Sequence, residues 1–234
     1  SVEEQGLVAY YPFSGNAEDK SGNENHGEVS GAKLGPDRRD LPDRAYYFDG
    51  LDDRIIINSE KLQLFGSRAG STVSFWLFKR TDAHAYILTK GFHGNAESGG
   101  NRYLQIEVDA LGAPQFSLYQ NSLGNGTWAV AVKDQVPTKK WVHVVCVRGL
   151  QSKVYVNGTD ITDYSNEWTN RNTDANWEVD YNDSFGAKPI CLGALQSVGN
   201  LPYSKYFSGA LDNIRIYNRA LSAEEVQWLY DHYR

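Results

Sequence analysis

The sequence predicts an all-β fold, an antiparallel two-sheet sandwich or jelly roll followed by one short C-terminal helix. About a dozen short apolar runs recur along the 234 residues with Gly, Asn or Asp between them, as in strands joined by tight turns. Aromatic residues make up 13% of the chain, with 15 Tyr and 6 Trp, and they suit half-buried pleated surfaces. We therefore expect a single domain spanning residues 1–234.

The predicted strands follow one another along the whole chain. In order they read LVAYYPF, AYYFDG, DRIIIN, STVSFWLFKR, AYILTKG, RYLQIEV, PQFSLYQ, TWAVAVK, WVHVVCVRG, SKVYVNG, PICLGA and LDNIRIYN. The helix is predicted in LSAEEVQWLYDHY, where Ser222 and Glu225 have the spacing of a capping box. Leu221 and Val226 are placed to pack as a hydrophobic staple around that start.

Two neighbouring predicted strands have one polar face. In RYLQIEV and PQFSLYQ, apolar residues alternate with polar ones, so they point to opposite sides of a sheet. If the two strands pair across DALGA, one face carries Tyr103, Gln105, Glu107, Ser117 and Tyr119. Such a face is either a solvated outer surface or a platform for sugars, on which rings stack and amides or carboxylates bind hydroxyl groups.

The net charge argues against two classes of binding partner, and the two cysteines leave their pairing open. The formal net charge of -6 argues against nucleic acid and anionic membranes, which are bound by clustered Lys and Arg. We find no apolar run of about 18 residues, so no membrane insertion is expected. Cys146 and Cys191 both lie in apolar runs, and they could be two buried thiols or a disulfide.

The stretch EDKSGNENHGEV, residues 18–29, raises the possibility of a metal site. Oxygen-bearing side chains occupy every second position from 19 to 25, as at the start of an EF-hand loop. The EF-hand is excluded, because Glu24 replaces the required Gly and Ser30 the final Glu. Either a hydrogen-bonded turn or a different Ca²⁺ site remains, and the latter would need a second carboxylate from elsewhere in the chain.

Four segments together resemble a known family. They are LVAYYPFSGNAEDKSGNENHGEV, AYYFDGLDDRIIIN, the pair WVHVVCVRG and KVYVNG, and FSGALDNIRIYNRALSAEEV. They are similar to laminin G-like domains of the concanavalin A-like (pentraxin-like) jelly-roll superfamily. The resemblance implies that the first and last segments pair side by side. It also implies a structural Ca²⁺ between them, held by Asp19, Asn23, His26 (through its backbone carbonyl) and Asp212.

The resemblance implies a non-catalytic, lectin-like carbohydrate-binding module of a secreted, cell-surface or periplasmic protein, with a poly- or oligosaccharide as partner. We expect the sugar to contact the polar face and two loop tryptophans, and two basic residues are available for an acidic glycan. These predicted sugar-binding residues are Tyr103, Gln105, Glu107, Tyr119, Trp168, Trp177, Arg102 and Lys90.

Two alternatives remain open. Laminin G-like folds also serve in adhesion and bind protein partners. A glycoside hydrolase is the other possibility, because Glu178, Asp180 and Asp183 approach the E-x-D-x-x-E signature of glycosidases in this superfamily. Hydrolysis with retention needs carboxyl groups about 5 Å apart, and this stretch does not plainly provide that separation. We therefore predict that the protein is not an enzyme.

Overall fold

Two large antiparallel sheets and one helix form the chain. The computed structural model describes residues 1–58, 62, 70–92, 102–120, 125–166, 169, 188–196 and 203–234. The elements in these residues are β1 (Leu7–Tyr11), β2 (Gly27–Ser30), β3 (Lys33–Gly35), β4 (Ala45–Asp49), β5 (Arg54–Ile57), β6 (Ser71–Lys79), β7 (Ala85–Phe92), β8 (Arg102–Val108), β9 (Pro114–Gln120), β10 (Asn125–Val130), β11 (Trp141–Arg148), β12 (Lys153–Val156), β13 (Thr159–Asp160), β14 (Ile190–Leu192), β15 (Leu195–Gln196), β16 (Tyr203–Ser204), β17 (Ser208–Tyr217) and α1 (Ala223–Tyr233).

The strand order is that of a jelly-roll sandwich. The eight-stranded sheet runs β13-β12-β11-β6-β17-β4-β3, with β1 also paired to β17. The seven-stranded sheet runs β10-β9-β8-β7-β14-β5-β2, and β15 and β16 form a separate small hairpin. Neighbouring strands are often far apart in the chain, because strands cross repeatedly between the two sheets. The predicted fold class is confirmed.

The core lies between the two sheets. One face of each strand supplies it, so that Leu104, Ile106 and Phe116 of the seven-stranded sheet and Val144 and Leu211 of the eight-stranded sheet are fully buried in one cluster. Burying each such side chain contributes roughly 1.5–3 kcal/mol. These inner faces form the core, and the polar side chains of β8 and β9 that line the cavity described below lie on the outer face of their sheet.

The predicted hairpin of β8 and β9 forms as expected. Its register pairs Tyr103 with Tyr119, Gln105 with Ser117 and Glu107 with Gln115. Paired positions in antiparallel strands share a face, and the described side chains among them, those of Gln105, Glu107, Gln115 and Ser117, lie on the side away from the core. At the turn, Gly112 has φ +71, and a Cβ there would lie 3.0 Å from the carbonyl oxygen of Val136; both features favour glycine.

Some elements differ from the sequence prediction. The short strands β2, β3, β13, β15 and β16 were not predicted, because two to four residues carry too little alternation to stand out. Strand β10 ends at Val130 rather than continuing to Lys133, since the chain turns there and Ala131 bridges to Thr162. Cys146 and Cys191 are both buried free thiols, in different sheets.

The helix begins as predicted and packs on the outer face of the eight-stranded sheet. Ser222 is the N-cap, and its side chain and that of Glu225 complete the capping box. Leu221 and Val226 are buried in the same apolar cluster, which covers Val145 of β11 and residues of β12 and β17. No helix among the described residues is long and apolar enough to cross a membrane.

The two ends of the chain lie side by side on the eight-stranded sheet. Strand β1 pairs with β17, which aligns Tyr10 with Arg215. The guanidinium of Arg215 lies between two rings, 4.2 Å from the centroid of Tyr10 and 3.8 Å from that of Tyr233. Arg38 joins the same region, because it pairs with Asp212 and its Nε donates to the carbonyl of Tyr233 at 2.6 Å. Both side chains of this ion pair are almost fully buried.

We predict that Arg38 is needed to hold this end of the sandwich together. Arg38→Met leaves the Asp212 carboxylate buried without its counter-charge, which should lower the free energy of unfolding by about 3 kcal/mol near pH 8. The measurement is urea unfolding of wild type and variant. Arg39→Met is the matched control with a small expected effect, because the Arg39 side chain is half exposed.

The destabilisation caused by Arg38→Met should also depend on pH. Burial raises the pKa of Asp212 to about 7, whereas an unfolded Asp has a pKa of about 3.9. The folded chain therefore holds this proton more tightly, so the carboxyl's contribution to stability is full below about pH 4 and is lost as the pH rises through the folded pKa. Without Arg38, ionisation of Asp212 lowers the free energy of unfolding further. The difference in the free energy of unfolding between wild type and variant should therefore grow from about pH 5 to about pH 8. A difference that is small at both pH values would contradict this role.

Candidate functional site

A cavity of about 780 Å³ opens on the outer face of the seven-stranded sheet. Its floor comes from β7, β8 and β9, and its wall from the segment after β10 and the turn after β13. The residues that line it are Tyr86, Gln105, Glu107, Asp109, Ala113, Gln115, Ser117, Val130, Ala131, Val132, Lys133, Asp163 and Asn166. Its volume is in the range of pockets that bind small molecules, about 300–1,000 Å³.

The floor contains a buried amide donor with nothing to bind. Gln105 is only 4% exposed, and its Nε2 has no hydrogen-bond partner within the described part of the chain. Its strand neighbours Leu104 and Ile106 point into the core, so alternation directs Gln105 to the cavity. An unsatisfied buried donor costs about 1–3 kcal/mol. A ligand oxygen in the cavity would recover that cost.

Beside it, Glu107 is held in a fixed position. Its Oε1 accepts a hydrogen bond of 2.6 Å from Nε2 of Gln115, and its Oε2 lies 3.0 Å from Nε2 of His84. The His84 ring stacks on Tyr86, with centroids 4.7 Å apart and planes inclined by 9°. Burial, with a further contribution from Glu107, raises the pKa of Tyr86 to about 12. The phenol therefore stays protonated at neutral pH and can donate a hydrogen bond.

The wall is tied to the floor by backbone hydrogen bonds. The N–H groups of Gln135 and Val136 donate to the carbonyl of Gly112 at 3.2 and 3.0 Å, which fixes the β8–β9 turn against the segment after β10. On the other side, the N–H of Asp163 donates to the carbonyl of Val130 at 2.7 Å. Because both attachments use the main chain, the cavity is preformed rather than dependent on mobile side chains.

The β15–β16 hairpin covers the other half of the same face. Thr89 Oγ1 donates to the carbonyl of Ala194 at 2.8 Å, and Gln196 Nε2 donates to the carbonyls of Thr89 and Pro189 at 3.1 and 2.8 Å. The guanidinium of Arg54 lies 4.8 Å from the ring centroid of Tyr203. Within the described part of the chain, the cavity on this face therefore lies around β8 and β9.

Seven of the eight predicted sugar-binding residues divide into three groups. Gln105 and Glu107 lie together in the cavity. For Arg102, Tyr103 and Tyr119 the structure describes the backbone position in β8 or β9 and not the side chain. Trp168 and Trp177 lie outside the described residues, as do Glu178, Asp180 and Asp183 of the hydrolase alternative.

Lys90 is not brought to this cavity. It pairs in register with Leu104 and Ile190, both of which are fully buried core residues. Its Nζ donates to the carbonyl of Lys188 at 2.7 Å, and burial lowers its pKa to about 8. A β-bulge between Tyr86 and Leu88 changes the alternation of β7, which a reading of AYILTKG could not anticipate.

Several cavity residues were missed in the sequence. Gln115 lies two residues before Ser117 in the run PQFSLYQ. The alternation that predicted an outward position for Ser117 therefore predicts the same position for Gln115. Tyr86 carried no such signal because of the bulge in its strand. Lys133 and Asp163 come from connecting segments, and only the tertiary fold brings them next to β8 and β9.

The loop predicted to hold a metal ion is a closed hydrogen-bonded turn. Asp19 Oδ1 accepts from the N–H groups of Tyr10 and Ser21, at 2.9 and 2.8 Å, and its Oδ2 accepts from Ser21 Oγ and the N–H of Asn25, at 2.9 and 3.0 Å. These four bonds occupy the capacity of a carboxylate, about four lone-pair sites. Burial alone would raise the pKa of Asp19, but the hydrogen bonds together lower it.

The other residues predicted to bind calcium also have protein partners, Asn23 and His26 through side-chain nitrogens rather than through the oxygens predicted as ligands. Asn23 Nδ2 donates to the carbonyl of Val8 at 3.2 Å, and His26 Nδ1 accepts from the N–H of Asp19 at 3.1 Å. Asp212 pairs with Arg38 and lines a separate cavity of about 260 Å³ that also contains Arg39 and Arg44. Guanidinium groups repel a divalent cation, so the residues in this arrangement do not fit a shared Ca²⁺. The calcium site stays a prediction that this geometry does not support.

A group of three carboxylates lies elsewhere, in the turn between β4 and β5. Ligand oxygens of Asp49, Asp52 and Asp53 lie within 4.8 Å of one another. Asp49 Oδ1 accepts from the N–H of Leu51 at 2.8 Å, and Asp53 Oδ2 accepts from the N–H of Asp49 at 2.8 Å. These bonds account for the turn, and exposed acidic groups are common without an ion.

Calcium titration tests the metal prediction directly. We expect the same melting temperature with excess calcium and with excess EDTA, because Asp19 is saturated by protein donors and Asp212 by Arg38. Asp212→Asn is the matched variant. A calcium-dependent rise in the wild-type melting temperature that Asp212→Asn abolishes would establish the shared site instead.

Several solved structures have an architecture similar to that of this chain. The receptor binding domain of botulinum neurotoxin D has a similar structure, with a TM-score of 0.65, 16% identity and coverage of 99% of this chain and 54% of that one. The ligand binding domain of botulinum neurotoxin serotype D, in complex with N-acetylneuraminic acid, matches with a TM-score of 0.66, 15% identity and coverage of 97% and 51%. This chain therefore spans about half the length of those toxin chains.

A third similar structure has nearly the same length. Domain 4 of AbnA, a GH43 extracellular arabinanase from Geobacillus stearothermophilus, in complex with arabinotriose, has a TM-score of 0.62, 19% identity and coverage of 97% of this chain and 99% of that one. No curated protein sequence matches the chain significantly. A family model described as the concanavalin A-like lectin/glucanases superfamily matches residues 49–227. Since that match covers more than half of the chain, the protein belongs to this superfamily.

Proposed function

We propose that this chain is a non-catalytic carbohydrate-binding module of a secreted or cell-surface protein. Its site is the cavity on the seven-stranded sheet, and its ligand is an oligosaccharide or the exposed part of a polysaccharide. Recognition depends on fixed hydrogen-bonding groups on the floor, chiefly Gln105 and Glu107, with the apolar side chains of Val130 and Val132 on one wall.

The unpartnered Nε2 of Gln105 is the observation that carries this proposal. A strand in the middle of a sheet places Gln105 on the cavity floor, where its buried Nε2 has no hydrogen-bond partner among the described residues, next to a carboxylate whose position two other side chains fix. Sugar hydroxyl groups both donate and accept hydrogen bonds. One hydroxyl can therefore accept from Gln105 while a neighbouring one donates to Glu107.

The similar structures support the same class of ligand. One is a domain of an arabinanase in complex with arabinotriose, and another is a toxin domain in complex with N-acetylneuraminic acid. Both ligands are carbohydrates. At 15–19% identity the likeness establishes the fold alone, so the argument for this chain depends on its own cavity.

Replacing Gln105 tests the site. We expect Gln105→Leu to weaken oligosaccharide binding by at least about tenfold, the effect of one lost hydrogen bond of roughly 1.5 kcal/mol. The free energy of unfolding should stay the same or rise, because the substitution removes an unsatisfied buried donor. Binding is screened on a glycan array and measured by calorimetry, and stability is measured by urea unfolding.

Gln196 supplies the matched control on the same face. Its Nε2 has two carbonyl partners, so Gln196→Leu should destabilise the fold by about 1–3 kcal/mol and leave binding by the folded protein unchanged. Wild-type affinity in Gln105→Leu would place the binding site elsewhere. Release of reducing ends from a bound polysaccharide would favour the hydrolase alternative over a module that only binds.

A further inference from the structure

We infer that the cavity selects uncharged glycans and discriminates against acidic ones; the inference rests on the proposed function. The observation behind it is the distribution of charge in the cavity lining. Among the described residues, three carboxylates line it, those of Glu107, Asp109 and Asp163, and one cation, Lys133. Lys133 is exposed at the rim, where solvent and salt screen its charge.

Among the described residues, two lysines and one histidine near the cavity are turned to other partners. Lys79 is buried beneath the floor, where its Nζ donates to the carbonyl oxygen of Asp109 at 3.1 Å. Lys205 lies against the ring of Tyr86, with Nζ 5.5 Å from the centroid. His84 faces Oε2 of Glu107 at 3.0 Å. None of these three residues lines the cavity.

A sugar carboxylate would therefore meet acceptors where it needs donors. Ionised carboxylates only accept hydrogen bonds, and a glycan carboxylate beside Glu107 or Asp163 would also be repelled electrostatically. The donors that line the floor are neutral, namely the amide of Gln105 and the hydroxyl groups of Ser117 and Tyr86. Neutral donors and fixed acceptors match hydroxyl groups, which carry no charge.

Asp163 is the residue that best isolates the charge effect. Its Oδ1 accepts from the N–H and Oγ of Ser165, at 3.0 and 2.5 Å, and the side-chain oxygen of an Asn can accept the same bonds. Asp163→Asn therefore removes one negative charge from the wall while keeping its shape. Glu28→Gln is the matched control, because Glu28 is exposed on β2 at the far edge of the same sheet.

The test is an array of glycans in matched sets that differ in one substituent. It carries cello-oligosaccharides with their C6-carboxylate counterparts, galactosides with and without terminal sialic acid, and arabino-oligosaccharides. We expect the wild-type protein to bind uncharged members at least about tenfold more tightly than the acidic members of the same set. Asp163→Asn should reduce that ratio several-fold, and Glu28→Gln should leave it unchanged.

The outcomes separate the inference from the proposed function. Binding of acidic members as tight as that of uncharged ones, or tighter, overturns the inference and leaves the carbohydrate-binding function in place. A ratio that Asp163→Asn does not change also overturns it, because the discrimination would then come from another part of the protein. Failure to bind any glycan overturns both.

Discussion

The register of β7, β8 and β9 is the constraint on which both the core and the cavity depend. Each strand contributes to two environments at once, because alternate side chains point to opposite faces of the sheet. Leu104 and Ile106 are in the dry space between the sheets, so Gln105 and Glu107 must be on the other side. A slip of one residue would exchange the two sets and bury charges in the core. The stability of the sandwich thus maintains the geometry of the site.

At the other sheet, the Arg38 guanidinium pairs with Asp212, one of the two acids that the family resemblance assigned to a calcium site. Asp212 needs a cation because it is buried between the two ends of the chain, and Arg38 supplies one together with a hydrogen bond to the carbonyl of Tyr233. Asp19, in turn, organises the first loop by accepting four hydrogen bonds. The two acids therefore perform separate structural tasks, each with protein donors.

The features that the sequence predicted well are those encoded by short-range patterns. Alternation in RYLQIEV and PQFSLYQ predicted both the hairpin and its polar face, and the spacing of Ser222 and Glu225 predicted the start of the helix. Features that depend on long-range packing were not accessible in the same way. The bulge in β7 places Lys90 among core residues, and Asp163 reaches the cavity only because β13 pairs with β12. Arg38 gave no local signal, since its partners are 174 and 195 residues away.

The most direct test of this account is to follow the side-chain amide of Gln105 by nuclear magnetic resonance while an oligosaccharide identified as a ligand is added. The account predicts that its two N–H resonances shift strongly and exchange with solvent more slowly once the sugar oxygen is bound, while those of Gln196 stay in place. Resonances of Gln105 that do not change while others far from the cavity do would contradict it.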